Sequence, residues 1–111
     1  MTSRNLIAGV AAAIVLSGIA AIAADHTPSP LFIQKCTKCH GEDGTGNTPK
    51  GKKFKARDFT DPEFQAHKSD KQLVETVKNG TEKDMPAFGK ILSEDEIEKL
   101  VKEDVRAFGR K

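Results

Sequence analysis

The chain has 111 residues, with 18 Lys and Arg against 16 Asp and Glu, and a formal net charge of +2. That length holds one small domain, and so balanced a charge carries no electrostatic footprint for nucleic acid. With no Trp, no Tyr, 31% charged residues and only two Cys, a self-sufficient core is marginal and a multi-disulfide scaffold is excluded.

Residues 1–24 read as an export signal. Arg4 is the only charge before Asp25, and Leu6 to Ala24 is an apolar run of 19 residues that closes on Ala21-Ile22-Ala23, an A-x-A-like cleavage site. An uncleaved membrane anchor is the alternative, because the run approaches the ~20 residues that span a bilayer. Gly9, Ser17, Gly18 and the alanines make it weakly hydrophobic, which favours cleavage. Either way the remainder is expected outside the cytoplasm, in the periplasm. Removing residues 1–24 leaves 87, a single domain spanning 25–111.

Ser29 can cap a helix that begins at Pro30, a residue tolerated at the first helical position because its missing N–H would be unpaired anyway. That helix is predicted to run through Phe32 and to end by Gly41, with Gly44 and Gly46 marking a loop. It carries Cys36-Thr37-Lys38-Cys39-His40, a C-x-x-C-H run, the attachment signature for a c-type haem. Residues three apart share a helical face, so both sulfurs can reach the two vinyl groups along one porphyrin edge, and His40 can turn its imidazole beneath the ring as an iron ligand. Phe32, Cys36, Cys39 and His40 follow the i, i+4, i+7, i+8 stripe expected to face the cofactor. Three other readings use the same thiols. A structural zinc needs about four ligands, and the only spare imidazoles are His26 and His67. A redox dithiol wants a βαβ context, which the sequence does not show. A plain disulfide leaves the adjacent His without a purpose.

From Thr48 to Phe59 no helical or alternating period holds, so this stretch is expected to be a loop. Lys50, Lys52, Lys53, Lys55 and Arg57 crowd it. It is either a solvated basic loop or a docking patch beside the haem edge that steers acidic redox partners. Asp61-Pro62 starts a short turn through Gln65. Ser69 and Gln72 form a capping box for a helix striped by Leu73, Val74 and Val77 and stopped at Gly80. Ser93 and Glu96 form a second box, and Ile97, Leu100, Val101, Val105 and Phe108 line one face of the last helix. Every periodic segment is helical, so the fold class is all-α, three main helices plus short turns.

Between the last two helices lies Asp84-Met85-Pro86-Ala87-Phe88-Gly89. Met85 is the only methionine besides the initiator, and it lies off any helical core stripe. A thioether is a soft ligand, and a His/Met pair is the axial set of cytochromes c. Met85 is therefore the expected sixth ligand, with His67 or an open site as the alternatives.

The motifs together resemble those of bacterial class I cytochromes c: F-x-x-x-C-x-x-C-H-G over residues 32–41, D-G-x-G-x-x-P over 43–49, M-P-A-F-G over 85–89 and L-S-x-x-E-I over 92–97. The resemblance implies a short helical domain wrapped around one covalent haem c, with its N- and C-terminal helices crossed, that carries single electrons and is not an enzyme. It also implies that the Pro49 carbonyl accepts a hydrogen bond from His40 Nδ1. Asp104 departs from the family, which usually places an aromatic before the Val-Arg pair matched by Val105-Arg106. Phe108 is expected to take over packing on the N-terminal helix. Donor and acceptor are expected to be redox proteins; a dedicated electron-transfer subunit of a periplasmic oxidoreductase is the alternative.

Overall fold

The computed structural model describes residues 26–110. The expected export signal, residues 1–24, lies outside them. Among the described residues all regular structure is helical, and no helix is long and apolar enough to cross a membrane.

The haem-motif helix is broken in two at Cys36: α1 spans Pro30–Lys35 and α2 spans Thr37–His40. Cys36 takes φ −120° and ψ −29°, so the two pieces do not form the continuous helix expected through Gly41. The Ser29 hydroxyl caps α1 by accepting from the Phe32 N–H at 3.2 Å.

The stretch read as an aperiodic loop contains a helix, α3, Pro49–Phe54. Its signal lies in its ends. Thr48 Oγ1 accepts from the Gly51 N–H at 2.8 Å, Pro49 occupies the first turn, and Lys55 closes the helix in the left-handed region at φ 56°. No apolar stripe marks α3 because the residue it buries is Gly51. A Cβ built there would lie 2.3 Å from the Cys39 carbonyl oxygen and 2.1 Å from that of Gly46. Glycine therefore lets α3 lie directly on the backbone of the haem-motif helix.

α4 spans Pro62–His67, two residues beyond the expected Gln65, and α5 spans Asp70–Asn79. The final helix begins as α6, Glu94–Lys99, and continues through a π-helical stretch, Leu100–Val105, into α7, Arg106–Phe108. Both capping boxes form: Ser69 with Gln72 and Ser93 with Glu96. In the π-helical stretch the Arg106 N–H reaches back to the Val101 carbonyl. Underwinding widens the buried face, so Leu100, Val101, Asp104 and Val105 are all buried.

The core is built from Phe32, Phe59, Phe64, Leu73, Leu92, Ile97, Leu100, Val101, Val105 and Phe108. Phe108 packs on Phe32 with ring centroids 5.2 Å apart, as the sequence led one to expect. Asp104 is the buried charge of the described residues, only 2% exposed. Ser29 donates to it twice, from N–H to Oδ1 at 2.9 Å and from Oγ to Oδ2 at 2.7 Å, and His26 Nε2 donates to Oδ1 at 2.8 Å. The residue that replaces the family's aromatic thus holds the helix crossing through hydrogen bonds. Ser29 caps α1 and binds the C-terminal helix with the same hydroxyl.

Arg106 makes a second tie. Its guanidinium donates to Asp70 Oδ1 at 2.7 Å, to the Gln65 carbonyl at 3.0 Å and to the Lys68 carbonyl, fastening the C-terminal helix to the α4–α5 junction. Asp104→Ala leaves the Ser29 and His26 donors without their acceptor and is expected to lower the unfolding free energy of the haem-loaded protein by about 3 kcal/mol. Guanidinium titration of wild type and variant measures it.

Candidate functional site

α1, α2, α5, the C-terminal helix and the 80–89 loop enclose a cavity of about 340 Å³. Cys36, Cys39 and His40 line it, and so do Met85 and Pro86. Phe59, Phe64, Leu73, Val77, Val101 and Val105 supply much of the rest, so the site is predominantly apolar. Neither cysteine is in a disulfide. The tertiary structure therefore brings together four of the residues named from sequence, from segments 45 residues apart in the chain (His40 and Met85).

Two of the named residues stand elsewhere. Phe32 does not line the cavity. It is 1% exposed and packs edge-on to Phe59, 6.4 Å between centroids, so it backs the wall instead of facing the cofactor. The break at Cys36 takes Phe32 off the stripe that a continuous helix would have made. Pro49 is exposed at the start of α3. The His40 Nδ1–H donates instead to the Arg57 carbonyl, at 3.3 Å. His67 is held at the end of α4, with Nδ1 2.9 Å from the Glu63 carbonyl, and does not line the cavity, so it is not placed to be a second imidazole.

His40 stacks on Phe59, 4.3 Å between centroids and 21° between planes. Burial lowers its pKa below the ordinary 6.5, and the Arg57 carbonyl works weakly against that shift. Burial thus favours the neutral ring, and a carbonyl on Nδ1 favours the tautomer with the lone pair on Nε2, the form that can bind a metal. Burial also pushes the Cys36 thiol up to about 12, with the Asp104 carboxylate and Cys39 adding smaller increments.

The 80–89 loop is fastened to the end of α5. The Phe88 and Gly89 N–H groups donate to the Val77 and Lys78 carbonyls at 2.9 and 3.0 Å, satisfying acceptors the helix leaves open. Gly80, at φ 69°, lets the Met85 carbonyl come so close that a Cβ there would stand 2.5 Å from it.

Among the described residues no group of three or more His, Cys, Asp and Glu side chains is arranged to hold a metal ion, so the zinc reading has no site. The donor set fits a haem: two cysteines three residues apart outside any disulfide, an imidazole beside them and a thioether lining the same apolar cavity. The sequence reading missed the basic rim, in which Lys35, Lys38 and Lys68 join Lys55 and Arg57 around the cavity. Lys35 and Lys38 were legible beside the cysteines; Lys68 was not, since only the fold brings α4 to this edge.

Because the Cys36 pKa is raised, folding favours its neutral thiol. That contribution is complete below pH 9 and is lost as pH rises from about 9 towards about 12. For His40 the lowered pKa makes the contribution complete above pH 6.5 and lost as pH falls below it. The haem-free chain should therefore be most stable between these limits, with Cys36 alkylating far more slowly at pH 8 than a free thiol. Denaturant midpoints across pH and mass-spectrometric mapping of alkylation check both.

The comparisons with known proteins point to the same chemistry. The family model described as cytochrome C oxidase, cbb3-type, subunit III, matches residues 23–102. The solved structure of KustC0563, a c-type cytochrome, is 39% identical, with a TM-score of 0.68 over 72% of this chain and 94% of that one. A mutant of Kustc0563 is 41% identical, with a TM-score of 0.65 over 70% of this chain and 93% of that one. No curated protein matches the chain significantly. A match over most of the chain, on a helical fold whose cavity gathers two thiols, an imidazole and a thioether, makes this protein a class I-like c-type cytochrome belonging to the family of the cbb3-type cytochrome c oxidase subunit III.

Proposed function

We propose that the chain is a single-electron carrier that holds one covalent haem c, with His40 and Met85 as the axial ligands and Cys36 and Cys39 as the thioether anchors. One C-x-x-C-H run in the sequence supports a single haem. The observation that carries the reading is that Met85 and His40 line the same predominantly apolar cavity. With both axial positions taken by the chain, no coordination site remains for a substrate. The sequence has no second cluster of acid–base groups for net catalysis. When bound, the haem supplies one redox equivalent, its iron alternating between Fe(II) and Fe(III).

The chain's own residues do the rest. His40 presents Nε2 because the Arg57 carbonyl occupies Nδ1. Phe59, Leu73, Val77, Val101 and Val105 exclude water from the cavity, and an apolar shell with a thioether ligand favours the state of lower charge and a raised potential. The cavity rim carries Lys35, Lys38, Lys55, Arg57 and Lys68, flanked by the exposed Lys50, Lys52 and Lys53 of α3. Such a rim suits docking of redox partners with acidic surfaces, in the periplasm if the expected export signal operates.

The family's description favours a second reading, a dedicated electron-transfer subunit of an oxidoreductase. Copurification from native membranes at low salt separates the two.

Met85→Ala is expected to open the iron to CO and to abolish the weak ferric absorption of sulfur–iron ligation, while leaving the covalent haem in place. Unchanged CO binding would overturn the axial assignment. Electron exchange with an acidic partner protein should slow as ionic strength rises, and replacing Lys52 and Lys53 with Glu should slow it further at low salt. Stopped-flow kinetics measures both.

A further inference from the structure

The 80–89 loop has an internal clasp that the assignments above do not use. Thr81 takes both backbone polar groups of Met85: its N–H donates to the Met85 carbonyl at 2.9 Å, and its Oγ1 accepts from the Met85 N–H at 2.9 Å. The same Oγ1 stands 3.3 Å from the Asp84 N–H. Residues 81–85 are thereby closed into a ring that no helix or sheet ladder supports. The next fastening, Phe88 N–H to the Val77 carbonyl, lies three residues beyond Met85. Thr81 also lines the cavity beside Met85, although it is itself exposed.

We infer that Thr81 is the positioning residue for the Met85 thioether: its hydroxyl and N–H set the backbone of residue 85 before the sulfur engages, so that ligand closure need not order the loop. This rests on Met85 serving as an axial ligand. The physical reason is preorganisation. Ordering backbone residues on ligation costs conformational entropy, and a clasp formed in advance removes part of that cost from the ligation step. A β-branched side chain suits the task, because its restricted χ1 holds the oxygen on the two N–H groups. Gly80 completes the arrangement by leaving room for the Met85 carbonyl under the turn.

Thr81 is exposed, so in a Thr81→Val variant water can satisfy the freed N–H groups and the global fold keeps its core. The haem-loaded wild type, Thr81→Val and Thr81→Ser are compared by three readouts: CO association with the ferrous form, the pH at which the ferric sulfur–iron absorption is lost, and the guanidinium midpoint. Loss of about one hydrogen bond from the ligated state should raise the CO association rate of Thr81→Val about tenfold. The variant should also lose the sulfur–iron absorption at a lower pH, with an unchanged guanidinium midpoint. Thr81→Ser, which keeps the oxygen, should stay close to wild type. A Thr81→Val protein that keeps wild-type CO kinetics and pH profile overturns the inference while leaving Met85 as ligand. So does a variant that changes only its guanidinium midpoint, which marks a purely structural role. A wild type with no sulfur–iron absorption overturns the axial assignment and this inference together. Slow hydrogen exchange at the Met85 N–H of the wild-type holoprotein is expected independently of any variant, and fast exchange there would sink the clasp.

Discussion

The carboxylate of Asp104 joins the two ends of the domain, and the site depends on that union. The C-terminal helix has to lie against α1 on one face while its Val101 and Val105 wall the cavity on the other. A charge at 2% exposure is tolerable only because Ser29 and His26 satisfy both its oxygens. The π-helical turn is the backbone's contribution: it spreads the buried face until Asp104 can reach Ser29 without turning the two valines from the cavity. The carboxylate is also felt at the cavity, as a smaller influence on the raised Cys36 thiol. Asp104, where the family usually has an aromatic, therefore holds the crossing through hydrogen bonds.

The two sides of the cavity are built by opposite means. The His40 side is packed tightly, backbone on backbone, where Gly51 lets α3 rest against the Cys39 carbonyl and Thr48 Oγ1 donates to the same carbonyl at 2.8 Å. The Met85 side is a loop pinned at its ends and clasped in the middle by Thr81, with no core side chain of its own beyond the partly buried Phe88. A rigid imidazole and a more compliant thioether follow from these constructions. Burial favours the neutral imidazole, and the Met85 backbone depends on hydrogen bonds that water can contest.

Polar groups around the cavity are sorted by depth. The buried ones are neutral or fully bonded, and the cations are confined to the rim, where lysine and arginine stems run along apolar surface with their charges in water. Arg57 shows both ends of this sorting, its guanidinium over the Phe64 ring at 5.0 Å and its carbonyl on His40. The rim can thus attract a partner without placing a charge against the cofactor site.

Short-range chemistry was legible in the chain alone. The C-x-x-C-H run, the lone Met85 before a proline, the two capping boxes and the apolar face of the last helix all act through residues within a few positions of one another, so spacing reveals them. The all-α class followed from the same local periods, and the match to known c-type cytochromes agrees with it. Only the tertiary structure decided the rest, because those features arise from residues far apart in sequence meeting in space. α3 was invisible to hydrophobic periodicity since it buries a glycine. The partner of His40 became the Arg57 carbonyl, 17 residues away, in place of the nearer Pro49. Phe32 left the cofactor face because the helix breaks at Cys36, and Asp104 found its role only when the C-terminal helix crossed α1, bringing together groups 75 residues apart.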